Sequence, residues 1–285
     1  MPDAAVEAAG EPGRGGFAEQ LDALVTHNRF TIAVFFPAVG AVTLIASAEG
    51  WLPDPLAFHP VLVLFGIAVM RLPLLSGLLP LLDRRATGAF AVLLAYTYAI
   101  EYVGATTGIP YGEFSYEVSL GPMLGPIPLA LPVFFIPLVL NSYLLCLLVL
   151  GDRARSLAVR LAAVSATVVA VDLVLDPAAV AVGFWVFAEG GYYGVPPMNY
   201  AGWVLSAVVA TVLVDIAFDR TALLDRVRTC PYILDDMVSF VLLWGAINAF
   251  YGAWIPVAIA VAFATALVRV DRFDFNISPS LSLTP

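Results

Sequence analysis

Apolar residues in this chain gather in runs instead of alternating, and each run ends at a polar, Gly-rich or Pro-rich break. Runs close to the ~20 residues that cross a bilayer as a helix predict transmembrane helices. The candidates are residues 30–48, 60–82, 87–108, 129–150, 157–184, 199–218, 233–251 and 253–270, with only "YGAW" separating the last two. Pro256 falls at the start of the eighth, where proline is tolerated. The pattern predicts an all-α, polytopic membrane protein of about eight transmembrane helices. Ahead of them, Phe17, Leu21, Leu24 and Val25 recur at i, i+4, i+7 and i+8, as in a short amphipathic helix on the membrane surface. Residues 1–16, rich in Ala, Glu, Gly and Pro, are expected to be disordered. They hold no basic stretch before a short apolar core, so no cleavable signal peptide is expected. The expected division is a tail with its interfacial helix over 1–29, an integral domain over 30–270 and a cytoplasmic tail over 271–285.

Composition narrows the class. Hydrophobic residues make up 61 % of the chain, charged residues only 12 %, and mean hydropathy is +0.93, which leaves no room for a soluble catalytic module. All 13 basic residues are Arg, and against 22 acids they leave a net charge of −9, which argues against a nucleic-acid partner. Acid excess without Lys is compatible with a halophile, although a genomic base bias toward Arg gives the same picture. Two cysteines, Cys146 in a candidate helix and Cys230 in a loop, make no disulfide framework. Two distant histidines, His27 and His59, make no His-rich metal site.

Arginine placement orients the helices. Arg14, Arg29, Arg84, Arg85, Arg153, Arg155, Arg160, Arg220, Arg226, Arg228, Arg269 and Arg272 all fall at alternate helix junctions, and the loops 49–59, 109–128 and 185–198 contain none. The positive-inside rule then places both termini in the cytoplasm of a multi-pass protein of the cell membrane. Arg71, in the middle of the second helix, breaks the pattern and is expected to pair with an intramembrane carboxylate or to act near the site.

With that orientation, Glu101 and Asp176 fall in the outer half of the membrane, as does Asn248, while Asp172 lies nearer the middle and Asn199 begins the sixth helix. Asp172 and Asp176 are four residues apart and share a helix face. A carboxylate in hydrocarbon is expensive and points to function. Three carboxyls and one Arg cannot all be neutralised by one ion pair. Desolvation and like-charge neighbours favour the neutral acid, which can donate a proton. Asp215 and Asp219 form a second D-x3-D, read as a solvated helix end beside Arg220. Asp235 and Asp236 start the seventh helix, where acids complement the helix dipole. The long Arg-free loops are rich in Tyr and Trp. Most belong to an interfacial belt, and a few facing inward would hold a cation against their π faces.

"EYVGATTGIPYGEFSY" (101–116), "DLVLDPAAVAVGFWVFAEGGYYGVPPMNYAGW" (172–203) and the eight-helix layout resemble the membrane-integral carotenoid hydratases, in particular those of halophilic archaea that complete bacterioruberin. The resemblance runs over roughly residues 30–275. It implies addition of water to the terminal trisubstituted double bonds of a long linear carotenoid, giving a tertiary alcohol, with no cofactor, metal or oxygen. Membrane lipids are the other expected partners, and association with further membrane enzymes of carotenoid synthesis is expected. No catalytic assignment comes with the resemblance. On the residues themselves, Asp176 or Asp172 is the expected proton donor, and Pro177 frees backbone beside Asp176 to shape a pocket. Glu101, Asn199 and Asn248 would position water; Tyr102, Trp185 or Tyr193 would face the cation; Tyr111, Trp203 and Trp244 would bind the substrate.

Rival readings are weaker. A membrane prenyltransferase would use "DLVLD" and "DIAFD" to hold magnesium and a diphosphate, yet Val168 stands where its first motif needs Asn, and no basic residue flanks that motif. A proton-coupled transporter would use the same acids as a relay, but the hydropathy shows no inverted repeat. A structural pigment-binding protein is the third. The orientation carries its own test: the acceptor sequence at Asn276 should remain unglycosylated, and a glycan found there by peptide mass spectrometry would reverse the topology.

Overall fold

A computed structural model describes residues 14–274. Of the expected disorder over residues 1–16, residues 1–13 lie outside the described residues, as does the sequon at Asn276, while residues 14–16 open the first helix instead. Among the described residues ten α-helices carry the fold: α1 (Arg14–His27), α2 (Phe36–Ala48, entered through a π-helical turn Thr31–Phe35), α3 (Pro60–Leu78), α4 (Arg84–Thr107), α5 (Pro132–Leu150), α6 (Leu157–Ala181), α7 (Pro197–Ala217), α8 (Arg220–Thr229), α9 (Asp235–Phe250) and α10 (Trp254–Arg269). Six of the helical segments are long and apolar enough to cross a membrane, and the chain is a multi-pass, all-α membrane protein. The remaining two candidates differ from the expected eight. Both α9 and α10 have 16 residues, a rise of about 24 Å against a hydrocarbon core of ~30 Å. Large apolar side chains stand outward along the bundle, Val42 at 67 % and Val61 at 66 % exposed, which only a lipid surround tolerates at such density.

Local chemistry sets the helix ends. Asp83 caps α4 by accepting from the Ala86 N–H at 2.7 Å, and Gly108 ends it in the left-handed region at φ 74°. Asp219 caps α8 in the same way through Ala222 at 2.9 Å. This short, polar helix lies in what the apolar pattern left as a loop. In α1, Val25 is buried while Phe17 and Leu24 are about half exposed or more, and Asp22 accepts from the Tyr232 hydroxyl.

Where the sequence placed simple helix-end charges, the structure has ion pairs. Arg29 meets Asp235 at 2.8 Å, and Arg71 is bonded to Asp236, which also accepts from Asn141 at 2.7 Å. Asp235 and Asp236 are fully buried, so they do more than offset a dipole. Arg71 finds its carboxylate there and not among Glu101, Asp172 and Asp176, because α9 inserts its N-terminus beside α3. Asp215 is likewise not a solvated end: Arg160 grips it at 2.5 Å and Tyr143 donates to it. Removing one partner of such a pair strands the other in hydrocarbon. Arg71→Leu or Asp236→Leu alone should therefore lower stability by about 3–5 kcal/mol. The double variant should recover part of that loss in a double-mutant cycle read by thermal unfolding in detergent; additive losses would mean that the two side chains are not coupled.

Candidate active site

At the end of the bundle away from the arginine-rich junctions, α4, α6 and α7 pack together beneath two loops. The loops are not free. Phe114–Tyr116 (β1) pairs antiparallel with Trp185–Phe187 (β4), Tyr116 opposite Trp185, while Met123–Leu124 (β2) and Ile127–Pro128 (β3) form a small hairpin. Residues 114 to 116 alternate aromatic, polar, aromatic, the period-two signal of a strand. One aromatic face thus points down onto the helices.

Beneath this cover lies a cavity of about 70 Å³. Glu101, Asp176 and Asn199 reach it among aromatic walls that include Tyr111, Tyr116, Phe135, Trp185 and Trp203. Asn199, in the first turn of α7, donates its side-chain amide to Asp172 Oδ2 at 2.9 Å and to Asp176 Oδ2 at 2.5 Å. The two carboxyl groups, one helical turn apart on α6, therefore share a single amide donor. Both are buried, and Asp172 Oδ1 receives no hydrogen bond from the described residues. Asp176 faces the cavity; Asp172 stands one turn behind it. Opposite, Glu101 accepts from the Tyr116 hydroxyl at 2.5 Å. Burial and the neighbouring Glu101 carboxylate push the Tyr116 phenol well above its ordinary range, so it remains a donor. No arginine lines the cavity.

The structure brings together Asp172, Asp176, Glu101, Asn199, Tyr111, Trp185 and Trp203. Four expected residues lie elsewhere. Tyr102 is 47 % exposed on the outer face of α4, and Tyr193 is 39 % exposed, its hydroxyl accepting from the Ile255 N–H. Asn248 donates to the Val174 carbonyl at 2.7 Å and to Trp244 at 2.9 Å, tying α9 to α6. Trp244 lines a second cavity between α2, α3 and α9. Conversely, Tyr116 and Ser206 are not among the residues expected at the site. Ser206 lies seven residues after Asn199 on the same face of α7 and bonds Tyr111 at 2.7 Å and Tyr96 at 3.1 Å. Among the described residues no group of three or more His, Cys, Asp or Glu side chains is arranged to hold a metal ion. The second aspartate pair is remote. Asp215 bonds Arg160, which lies 16 residues, or about 24 Å along α6, from Asp176.

Two comparisons with known proteins bear on this site. The pattern of the carotenoid biosynthesis protein family matches residues 58–267, which include every residue of the cavity. A protein of Haloarcula japonica named bisanhydrobacterioruberin hydratase is 62 % identical over 260 residues, covering 91 % of this chain and 89 % of its own. No solved structure matches.

Glycines fix the position of the Tyr111 ring. A Cβ on Gly202 of α7 would come within 2.4 Å of the ring, and one on Gly104 of α4 within 2.8 Å. The ring is held in a slot that only backbone can flank. Gly202→Val should displace Tyr111, break its bond to Ser206 and lower stability by about 1–3 kcal/mol as overpacking does. A variant with wild-type thermal stability and an unchanged cavity in its own structure would contradict this.

Proposed function

The chain belongs to the carotenoid biosynthesis protein family, and on that footing we propose that it is a carotenoid hydratase. It adds water to the terminal trisubstituted double bonds of bisanhydrobacterioruberin, giving bacterioruberin. The observation that carries this reading is the buried carboxyl pair of Asp172 and Asp176, with Asp176 facing an aromatic-walled cavity opposite Glu101. Two carboxyls this close, served by one amide donor and no cation, hold a proton between them. Asp176 passes that proton to the less substituted alkene carbon. The π electrons form the new C–H bond, and a tertiary cation remains at the dimethyl carbon. Trp185 and Trp203 stand in the cavity wall to stabilise it through their π faces. Glu101, oriented by Tyr116, holds water on the opposite side and takes its proton as oxygen attacks. That proton returns to the aspartate pair, so atoms and charge balance without cofactor, metal or oxygen.

The arginine alternation supports eight crossings, with α9 and α10 as a short final pair, both termini in the cytoplasm and the cavity toward the outer face of the cell membrane. Residues 30–270 form the integral catalytic domain in this reading, flanked by the N-terminal interfacial segment and a cytoplasmic tail. Association with other membrane enzymes of the pathway fits a substrate that never leaves the bilayer.

The test is direct. Purified protein given the anhydro carotenoid in heavy-oxygen water should add one or two labelled water masses. Asp176→Asn should remain folded in the membrane and lose about 10²–10⁴-fold in kcat, the range for a missing general acid. No mass gain with folded wild-type protein would overturn the assignment, and full activity in Asp176→Asn would move the donor to Asp172 or Glu101.

A further inference from the structure

The acid cavity is far smaller than a long carotenoid, so most of the substrate must lie elsewhere. We propose that the groove between α2 and α3 is the subsite for the substrate's polyene chain, and that Gly66 sets its width. This inference rests on the hydratase reading of the acid cavity. The groove encloses about 260 Å³. It follows α2 from Phe36 to Ser47 and α3 from His59 to Met70, which is about 16 Å along each helix at ~1.5 Å per residue. It therefore runs parallel to the helices and holds a rod across the membrane.

Continuity and chemistry choose the occupant. Phe134 lines both spaces. Phe184 lines the groove and its neighbour Trp185 lines the acid cavity, their rings 6.2 Å apart and nearly parallel at 28°. Phe134 and the Phe184–Trp185 ring pair thus form the common wall of the two spaces, and a chain passing from one to the other would cross there. No Asp, Glu or Arg lines the groove. Its hydroxyls are already committed, Thr43 donating to the Val39 carbonyl at 2.9 Å and Ser47 to that of Thr43 at 2.8 Å. His59, whose buried Nδ1 has no hydrogen-bond partner among the described residues, is the one uncommitted polar side chain in the lining, so the groove holds no charged partner for a headgroup. Phe36, Phe58, Phe134, Phe184 and Trp244 give the walls flat π faces, which match a conjugated rod better than a saturated, kinking acyl chain. Gly66 keeps the α3 wall low. A Cβ at that position meets no atom within 4 Å, so a longer side chain would fill open groove without moving the backbone.

Gly66→Leu and Leu62→Trp, both lining the groove, are compared with Gly88→Leu, which lines neither space and is equally unobstructed. Hydration is measured on the long carotenoid and on a short acyclic alkene bearing the same dimethyl end. Carotenoid binding is read separately by its induced visible circular dichroism. Both groove variants should raise KM for the long substrate about tenfold, with kcat and the short-alkene rate within about twofold of wild type. They should weaken the dichroism titration in parallel, and Gly88→Leu should match wild type throughout. Unchanged KM and binding in both groove variants would overturn the proposal, leaving the groove to ordinary lipid. Equal slowing of long and short substrates would overturn it too. Wild-type protein that hydrates neither substrate defeats the hydratase reading instead, and the dichroism titration still reports on the groove.

Discussion

A carboxyl group in hydrocarbon must be neutralised, and this protein does it differently at its two ends. Away from the acid cavity, Arg29, Arg71 and Arg160 each hold an aspartate, and these pairs tie the turn before α2 to α9, α3 to α9, and α6 to α7. At the other end the loops contain no arginine. There, among the described residues, Asp172 and Asp176 are met by one amide and Glu101 by a phenol, and in the proposed mechanism a proton shared by the aspartate pair is the counter-charge. On the proposed mechanism, the end of the bundle that lacks cations is the end where an acid would keep a proton to give. Fold stability and proton chemistry draw on the same expensive residue type, separated by the arginine distribution.

Much of the fold was legible because hydrocarbon imposes length and apolarity on any crossing helix. The six long helices fall within a few residues of the runs that predict them. The four-residue spacing of Asp172 and Asp176 was enough to place both on one face, and both reach Asn199. What escaped was set by partners distant in sequence. The partner of Arg71 is 165 residues away, and no local pattern could choose Asp236 over Asp172. Helix α8 escaped because an apolar-run criterion does not see a polar helix. Tyr116 escaped because loop aromatics at a membrane surface are common, and only the pairing of β1 with β4 turns this one onto Glu101. Tyr102 and Tyr193 were expected to face the cation, and helix rotation and loop geometry turn them outward instead.

The two spaces divide the work. In the proposed reaction the small cavity beneath the β1–β4 ribbon would confine acid, water and a developing cation, where exclusion of bulk solvent strengthens each electrostatic contact. The larger apolar groove offers length and π surface but no reactive group. Contacts along a rigid rod in the groove would hold the long carotenoid equally in its ground and transition states, which is why narrowing the groove would act on KM and not on kcat.

The central claim is that a carboxylic acid protonates an alkene carbon. Running the reaction in deuterium oxide and locating the label by mass spectrometry and proton NMR tests it most directly. The account predicts one carbon-bound, non-exchangeable deuterium per hydrated end, on the carbon next to the new tertiary alcohol, lost together with activity in Asp176→Asn. A tertiary alcohol formed without carbon-bound deuterium would contradict it.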